Sequence, residues 1–162
     1  MPRVSAGGCE KFRRTLSDTL HNMPTRNTAD SLETQTETLV QRCLAIEEDD
    51  LTVAATERAQ TLLRDLLGVM LGSATTTASS RIARDMVRAV YGAGKATVVG
   101  ESSGSPTAAA AFANGTIGHG IELDDTHSGA SIHPGVVIIP VALAGGETEE
   151  TYGQALLEAI VE

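Results

Sequence analysis

Two apolar segments flank a short polar stretch near the end of the chain, and this arrangement constrains the fold more than any other feature of the sequence. Residues 106–123 and 136–144 consist mainly of Ala, Gly, Val and Ile, and neither has a polar face when it is written as a helix. A helix that is apolar on all sides is stable in the interior of a helical bundle. The sequence therefore predicts two central helices joined by a polar segment. We call the stretch 119–134, which contains this segment and the predicted last turn of the first helix, the elbow.

The rest of the chain predicts further helices around this pair. Apolar residues at helical spacing follow Thr36 as far as Ile46, and a stronger pattern follows Asp50 or Thr52 as far as Leu71. Gly68 within this second helix is expected to let another backbone approach. A third helix is expected over 80–91, a short extended segment over 96–99, and a last amphipathic helix after Thr148 or Thr151. The fold class that follows is all-α, a helical bundle.

The third helix and the two central helices have expected details of their own. Ile82 and Val90 are predicted to face inward, whereas Arg81, Arg84 and Arg88 are predicted to form an outward, solvated face. Ser105 is expected to cap the first central helix, with Pro106 at its first position and its end near Leu123. The second central helix is expected to open at Pro134, to bend or break at Pro140, and to end at Gly145 and Gly146.

The chain divides into two parts by composition. Residues 1–35 are rich in Ser, Thr, Asn and Gly and carry only isolated apolar residues, so we expect a disordered extension. Residues 36–162 are expected to form one helical domain. Aromatic residues make up only 2% of the chain, so its core must rely on close packing of small side chains. Because such a core gains little from each buried residue, a partner subunit or a further segment is plausible.

Charge and composition exclude several classes of function. The net charge of −9 and the pI near 4.8 argue against nucleic-acid binding, since an acidic surface repels backbone phosphates. The chain has no run of about 18 apolar residues, so we expect no membrane span. Two cysteines, Cys9 and Cys43, are too few for a disulfide framework, and a reducing cytoplasmic location is the default.

The elbow concentrates groups that can exchange protons or bind ions. These residues are His119, Glu122, Asp124, Asp125, Thr126, His127 and His133. Clusters of titratable groups between apolar segments are typical of functional sites. For His119 alone, a hydrogen-bonded core histidine is the better interpretation.

Four interpretations of the elbow stay open from the residues themselves. It can perform proton transfer next to a substrate carboxylate, with histidine and carboxylate groups as acid and base. It can bind a metal such as Zn, Mn or Fe, although no HExxH spacing is present. A Ser/His/Asp hydrolase would need the GxSxG motif, which is absent. Lastly, the aspartates can cap a helix while the histidines pair with them at an interface.

The elbow and its flanks are similar to a known family signature. The run AAFANGTIGHGIELDDTHSGASIHPGVVIIPVALA closely resembles the signature of the MmgE/PrpD family, whose members include 2-methylcitrate dehydratase and cis-aconitate decarboxylase. The upstream segments ERAQTLLRDLLGVMLGS and GKATVVGESSGSPTAAAAFANG also look like the N-terminal region of that family. The resemblance covers about Glu37 to Glu162.

The resemblance implies a fold and a reaction class. Complete members of the family have a mostly α-helical domain joined to a second α/β lid domain, and they dimerise. They work without metal or organic cofactor on small di- or tricarboxylates, adding or removing a proton beside a carboxylate. Dehydration by a carbon–oxygen lyase, as in 2-methylcitrate dehydratase, is the commonest instance.

The resemblance also implies roles for individual residues of the elbow. His133 falls on the histidine of the HP motif and is the expected proton-transfer group, with Asp124, Thr126 and His127 as its catalytic partners. The expected substrate-binding residues are Glu122, Asp125 and His119. Glu122 stands where the family commonly has Asp, so its carboxylate reaches further by one methylene.

Two departures from the family bear on activity. The chain is much shorter than complete members and lacks the lid domain with its basic substrate-binding residues. No Lys or Arg follows Lys95, so nothing downstream offsets the charge of a tricarboxylate beside the acidic elbow. The chain alone is therefore expected to be either one part of a split enzyme, completed by a lid-domain polypeptide, or a non-catalytic helical remnant. The expected protein partner is either a second copy of the chain or a complementary lid-domain polypeptide.

Overall fold

The computed structural model describes residues 34–46, 51–151 and 153–161. Over these ranges the chain forms six α-helices and no strand, only two isolated β-bridges. The helices are α1 (Gln35–Leu44), α2 (Val53–Ser73), α3 (Ala78–Val90), α4 (Thr107–Gly118), α5 (Gly135–Glu149) and α6 (Gln154–Val161). The expected all-α fold class is thus confirmed. The predicted disordered extension lies outside the described residues except for its last two, and the domain boundary at residue 36 stays a prediction.

The first helix begins two residues earlier than the sequence pattern indicated. Thr34, and not Thr36, is the N-cap: its hydroxyl accepts the Glu37 N–H at 3.2 Å, while the Glu37 carboxylate accepts the Thr34 N–H at 2.7 Å. This reciprocal pair is a capping box. The backbone and hydroxyl hydrogen bonds from Thr34 hold the pKa of the Glu37 carboxyl below its usual value. None of the residues of α1 is buried, so its local cap matters more than packing.

The expected role of Gly68 in α2 is wrong. A Cβ built on this residue meets nothing within 4 Å, and Gly68 is exposed. The helix instead turns Leu66, Val69 and Met70 toward the core, and Met70 is completely buried. Position 68 lies on the opposite, wetter side, where helical spacing alone could not show that no neighbour is present.

The inward face of α3 is made of smaller residues than predicted. Ser80, Ala83 and Val87 are buried, whereas Ile82 and Val90, which were expected to face inward, are exposed. Small residues at spacings of three and four let α3 approach α4 closely, because a bulkier side chain would hold the helices apart. Ile82 and Val90 consequently lie beside the interface, whereas Met86 packs against the core.

The arginines of α3 form ion pairs instead of a uniformly solvated face. Arg84 and Arg88 both contact Glu101, at 3.4 and 3.2 Å, and the Glu101 side chain is nearly buried between them. Hydrogen bonding to Asp85, followed by the charge of Glu101, raises the pKa of Arg88. The prediction that Arg84 points outward is wrong, since it also donates to the Gly100 carbonyl at 3.0 Å.

Helices α4 and α5 pack most extensively against each other, as the two apolar segments predicted. They are not covered on every side, however, because Phe112 of α4 and Val137 and Val141 of α5 are exposed. The expected Ser105 cap is also wrong: Ser105 instead exchanges backbone hydrogen bonds with Ala96 at 2.8 and 3.0 Å, and α4 starts after Pro106.

The second central helix is continuous through Pro140 and past the two glycines to Glu149, so it is not interrupted at Pro140 and ends within the acidic run that follows the glycines. Proline has no N–H, and the carbonyl four residues earlier, that of Val136, therefore loses its helical partner. This carbonyl faces Gly115 of α4 so closely that a Cβ there would lie 2.8 Å from the oxygen. The helices thus meet backbone to backbone at this point.

A buried amide connects α4 to the loop before it. The Asn114 side chain donates to the Thr97 carbonyl at 2.8 Å and accepts the Val99 N–H at 2.9 Å. Both ends of this buried amide therefore have a hydrogen-bond partner. Helix α4 ends at Gly118, five residues before the predicted end at Leu123, so all of the elbow lies outside the helix.

Among the described residues, no helix is both long enough and apolar enough to cross a membrane.

Candidate functional site

The elbow starts with a tight turn that leaves α4. The His119 N–H donates to the Gly115 carbonyl at 3.1 Å, and the Glu122 N–H donates to the His119 carbonyl at 3.2 Å. Glu122 has a φ of 52°, in the left-handed region that L-residues rarely adopt. Three glycines near this turn, Gly115, Gly118 and Gly120, were visible in the sequence, but the early helix end they accompany was not predicted.

Gly120 lies against a buried hydroxyl cluster, which we define as Ser73, Thr77 and Ser80. The Ser73 and Ser80 hydroxyls are 2.9 Å apart, and the Thr77 hydroxyl donates to Ser80 at 2.7 Å. A Cβ at Gly120 would lie 2.9 Å from the Thr77 hydroxyl oxygen and 3.0 Å from that of Ser80. The turn that carries His119 therefore rests directly on this cluster.

Asp124 is the centre of the site. Its side chain is completely shielded from solvent, and its carboxylate contacts His119 Nδ1 at 3.0 Å and His133 Nδ1 at 3.1 Å. A carboxylate can only accept hydrogen bonds, so we assign the hydrogen of each neutral imidazole to Nδ1. The Nε2 atom on the other side of each ring is then an acceptor. The sequence predicted His133 and Asp124 as partners, and the structure brings them into contact.

The two imidazoles share this carboxylate and contact each other. Their ring centroids are 4.9 Å apart, with an angle of 63° between the ring planes. The side chains of His119 and His133 are 47% and 36% exposed. The interpretation of His119 as a core histidine is therefore wrong: because α4 ends before it, His119 lies at the surface, beside His133.

Both histidines line an open cleft of about 1200 Å³ between α4, α5 and the start of α3. Its wall is mostly small and apolar, including Ala108, Ala111, Phe112, Val136 and Val137. Glu122, which the sequence predicted as a substrate-binding residue, also lines it. Among the described residues, the lining contains no Lys or Arg.

Thr126 contacts the histidine pair, whereas Asp125 contacts the start of α5. The Thr126 hydroxyl is 3.4 Å from His133 Nδ1, a long and weak contact. The Asp125 carboxylate accepts the Gly135 N–H at 2.9 Å and so caps the start of α5. A Cβ at Gly135 would collide with this carboxylate. The capping role was one of the alternatives that the sequence left open, and the glycine after the HP motif is the signal that fits it.

His127 is held in a separate turn. It forms a β-bridge with Ile132, and its Nδ1 accepts the Ala130 N–H at 3.1 Å. Its side chain is exposed, and it does not belong to the residues that line the cleft. The structure thus does not bring His127 to Asp124, although the sequence grouped them.

One ligand atom from each of His119, Asp124 and His133 lies within 4.8 Å of the other two. Two imidazole nitrogens and a carboxylate oxygen at this separation can bind a transition metal as well as share a proton. The arrangement is therefore compatible with two of the interpretations that the elbow sequence left open, proton transfer and metal binding.

The helices and the elbow together define an all-α domain with a histidine–carboxylate site at its surface. The sequence model of the MmgE/PrpD N-terminal domain matches residues 37–162, and the chain belongs to the MmgE/PrpD family. This match confirms the resemblance seen in the elbow and its flanks. No curated protein and no solved structure matches the chain.

Proposed function

We propose that this chain supplies the proton-transfer site of a lyase that acts on small di- or tricarboxylates, in the manner of 2-methylcitrate dehydratase. Membership of the MmgE/PrpD family suggests a dehydratase-type protein. The observation that carries the proposal is the shielded carboxylate of Asp124, which contacts two solvent-accessible imidazoles at the edge of a cleft.

The shared carboxylate suits these imidazoles to acid–base work. An imidazole whose Nδ1–H donates to a carboxylate presents Nε2 as a base, and the carboxylate stabilises the positive charge that the ring gains with a proton. In the proposed dehydration, His133 removes the proton from the carbon beside a substrate carboxylate. The electron pair forms the double bond, and the C–O bond to the neighbouring hydroxyl breaks as that oxygen is protonated and leaves as water.

The second imidazole fits the other half of this reaction. His119 shares Asp124 with His133 and lines the same cleft, so a proton can reach the leaving hydroxyl from either ring or from water. In the proposal, Thr126 helps to orient His133, whereas Glu122 and His119 contact the substrate. Asp125 acts indirectly, because its cap fixes the start of α5 immediately after His133. We leave His127 out of the proton-transfer pair.

Substrate charge requires cations that these residues do not supply. A di- or tricarboxylate would meet Glu122 in the cleft, and the nearby guanidinium groups of Arg84 and Arg88 already pair with Glu101. Like charges in one site repel, which weakens anion binding. We therefore propose that basic residues of a lid-domain polypeptide, or of a second subunit, complete the site over the cleft.

The test is turnover of 2-methylcitrate, citrate and cis-aconitate by the untagged chain, alone and mixed with the polypeptide encoded next to it. His133→Ala is expected to lower kcat by about 10²-fold or more, the usual contribution of a positioned acid–base group. His21→Ala removes the histidine outside the elbow sequence and serves as the matched control. Activity should persist with a chelator present. Wild-type turnover in His133→Ala would refute the assignment.

A non-catalytic subunit is the second candidate, and one observation favours it. Exposed apolar side chains, among them Phe112, Val137, Ile138 and Val141, cluster on α4 and α5. A contiguous apolar surface of this kind often marks a protein interface. This candidate predicts a stable oligomer or hetero-complex in light scattering and no turnover in any mixture.

A further inference from the structure

We propose that His119, Asp124 and His133 also form a binding site for a transition-metal cation, with zinc as the best fit. The metal would be bound by Nδ1 of the two imidazoles and by the Asp124 carboxylate, whereas proton transfer uses Nε2 of the same rings. Binding of the metal does not depend on whether the chain has lyase activity.

The positions of the donor atoms fit a small, four-coordinate ion. Ligands around tetrahedral zinc lie about 2.0–2.2 Å from the metal, which places them roughly 3.3–3.5 Å from one another. The Asp124 carboxylate is 3.0 Å from His119 Nδ1 and 3.1 Å from His133 Nδ1. All three donor atoms lie within 4.8 Å of one another, so each imidazole would move a few tenths of an ångström away from the carboxylate, and the two exposed rings would turn toward each other, to bind one ion.

The type and setting of the donors select the class of cation. Two imidazoles and one carboxylate suit Zn²⁺ and its neighbours in the transition series, whereas Mg²⁺ and Ca²⁺ prefer oxygen ligands alone. The Asp124 side chain is shielded, so its charge is not dispersed by water. The imidazoles border the open cleft, which gives the ion an entry path and leaves a fourth position for water or a substrate oxygen.

The site differs from an ordinary group of surface acids. Its carboxylate is buried and already in contact with both imidazoles, so the three side chains are held together before any ion arrives. A preorganised site gains affinity because little conformational freedom is lost on binding. The turn against the hydroxyl cluster and the Asp125 cap of α5 fix the two backbone positions that carry the histidines.

Metal binding and proton transfer exclude each other at these two imidazoles. A metal on Nδ1 takes the place of the hydrogen there, and the neutral ring then carries its hydrogen on Nε2, which is no longer available as a base. If the proposed function holds, zinc therefore inhibits the lyase. A chelator then restores the activity of the zinc-loaded protein and does not change the activity of the zinc-free protein. This consequence, unlike the binding itself, depends on the proposed function.

The experiment measures zinc binding directly, by isothermal titration of the untagged, chelator-treated chain with Zn²⁺. His119→Ala and His133→Ala are each expected to weaken binding by at least about 10- to 100-fold, the loss that even supporting residues of metal sites cause. His127→Ala removes a neighbouring histidine that does not belong to the cluster and should bind as wild type does. Titration with Mg²⁺ should give no binding.

The outcomes separate this proposal from the proposed function. Circular dichroism must first show that each variant keeps its helical content. If one of the two histidine variants does not fold, the other still tests the proposal. Equal zinc binding in the wild type, His119→Ala and His133→Ala, or no binding to the wild type, overturns the metal site. Zinc binding that follows the expected pattern, together with undiminished turnover in excess zinc, keeps the metal site and refutes the proton-transfer role of these imidazoles.

Discussion

Replacing Gly120 by alanine tests whether the hydroxyl cluster supports the turn that carries His119. The added Cβ would lie 2.9 Å from the Thr77 hydroxyl and 3.0 Å from the Ser80 hydroxyl, and it would collide with the Ser73 hydroxyl. Ordinary contacts of a methyl group are longer, so either the turn or the cluster must move. The turn leads directly to Asp124, and we therefore expect the change to disturb both the stability and the site.

The magnitude follows from two costs and one gain. Overpacking of a close-packed interior costs about 1–3 kcal/mol, and loss of a hydroxyl hydrogen bond adds about 1 kcal/mol. The lower backbone entropy of alanine in the unfolded chain returns about 0.4–1 kcal/mol. The expected net loss is about 1–4 kcal/mol in the free energy of unfolding. For a chain of this size each kcal/mol shifts Tm by about 2–4 °C, which thermal unfolding followed by circular dichroism resolves easily.

Gly68→Ala is the matched control for this measurement. Nothing lies within 4 Å of a Cβ at Gly68, which sits in α2 on its exposed side, so alanine should stabilise the helix by about 1 kcal/mol. Adding Ser73→Ala to Gly120→Ala removes the nearest oxygen and should recover part of the loss. A Gly120→Ala protein as stable as the wild type, or a double variant without any recovery, would refute the proposed contact.

Three further predictions concern the caps and the core. The hydrogen bonds from Thr34 lower the pKa of Glu37, so the ionised carboxylate stabilises α1 above the pKa of the unfolded chain, and this stabilisation is lost as the pH falls through the pKa of the folded chain. Thr34→Ala should therefore raise the pKa of Glu37, followed by NMR, toward its usual value. Met70→Ala should cost about 2–5 kcal/mol in urea unfolding, whereas Leu71→Ala, at the exposed next position, should cost far less. Asn114→Ala should cost about 1–3 kcal/mol and increase amide exchange in the 97–99 loop; unchanged exchange there would argue against its bridging role.

The sequence predicted the type of each helix better than its ends. Apolar periodicity is a property of ten or more residues, so the existence of α2 and α3 could be predicted. Helix ends depend on single residues: Thr77 caps α3, which begins two residues before the predicted start at Ser80, and α5 continues past Gly146 to Glu149. The Thr77 cap is a local contact, but the stretch 75–80 contains five Thr and Ser residues, and the pattern does not choose among them.

The sequence predicted which segment forms the candidate site, but not how its residues are arranged. The density of titratable groups in the elbow identified the region, and His133 and Asp124 do meet there. The sequence did not reveal that α4 ends at Gly118, which is why His119 was interpreted as a core residue. It also could not separate Asp125, which caps α5, from its neighbour Asp124, because adjacent carboxylates look alike until the backbone fixes their directions.

The contact between Gly115 and the Val136 carbonyl has a consequence for the spacing of the two imidazoles. Gly115 precedes His119 by about one helical turn, and Val136 follows His133 by three residues, so this contact joins the two backbones close to the points that carry the histidines, and all four residues line the cleft. Backbone atoms have no rotamers through which they could adjust. The separation of the histidines is therefore set by the thickness of two peptide chains, and a methyl group at position 115 would widen it without touching either ring.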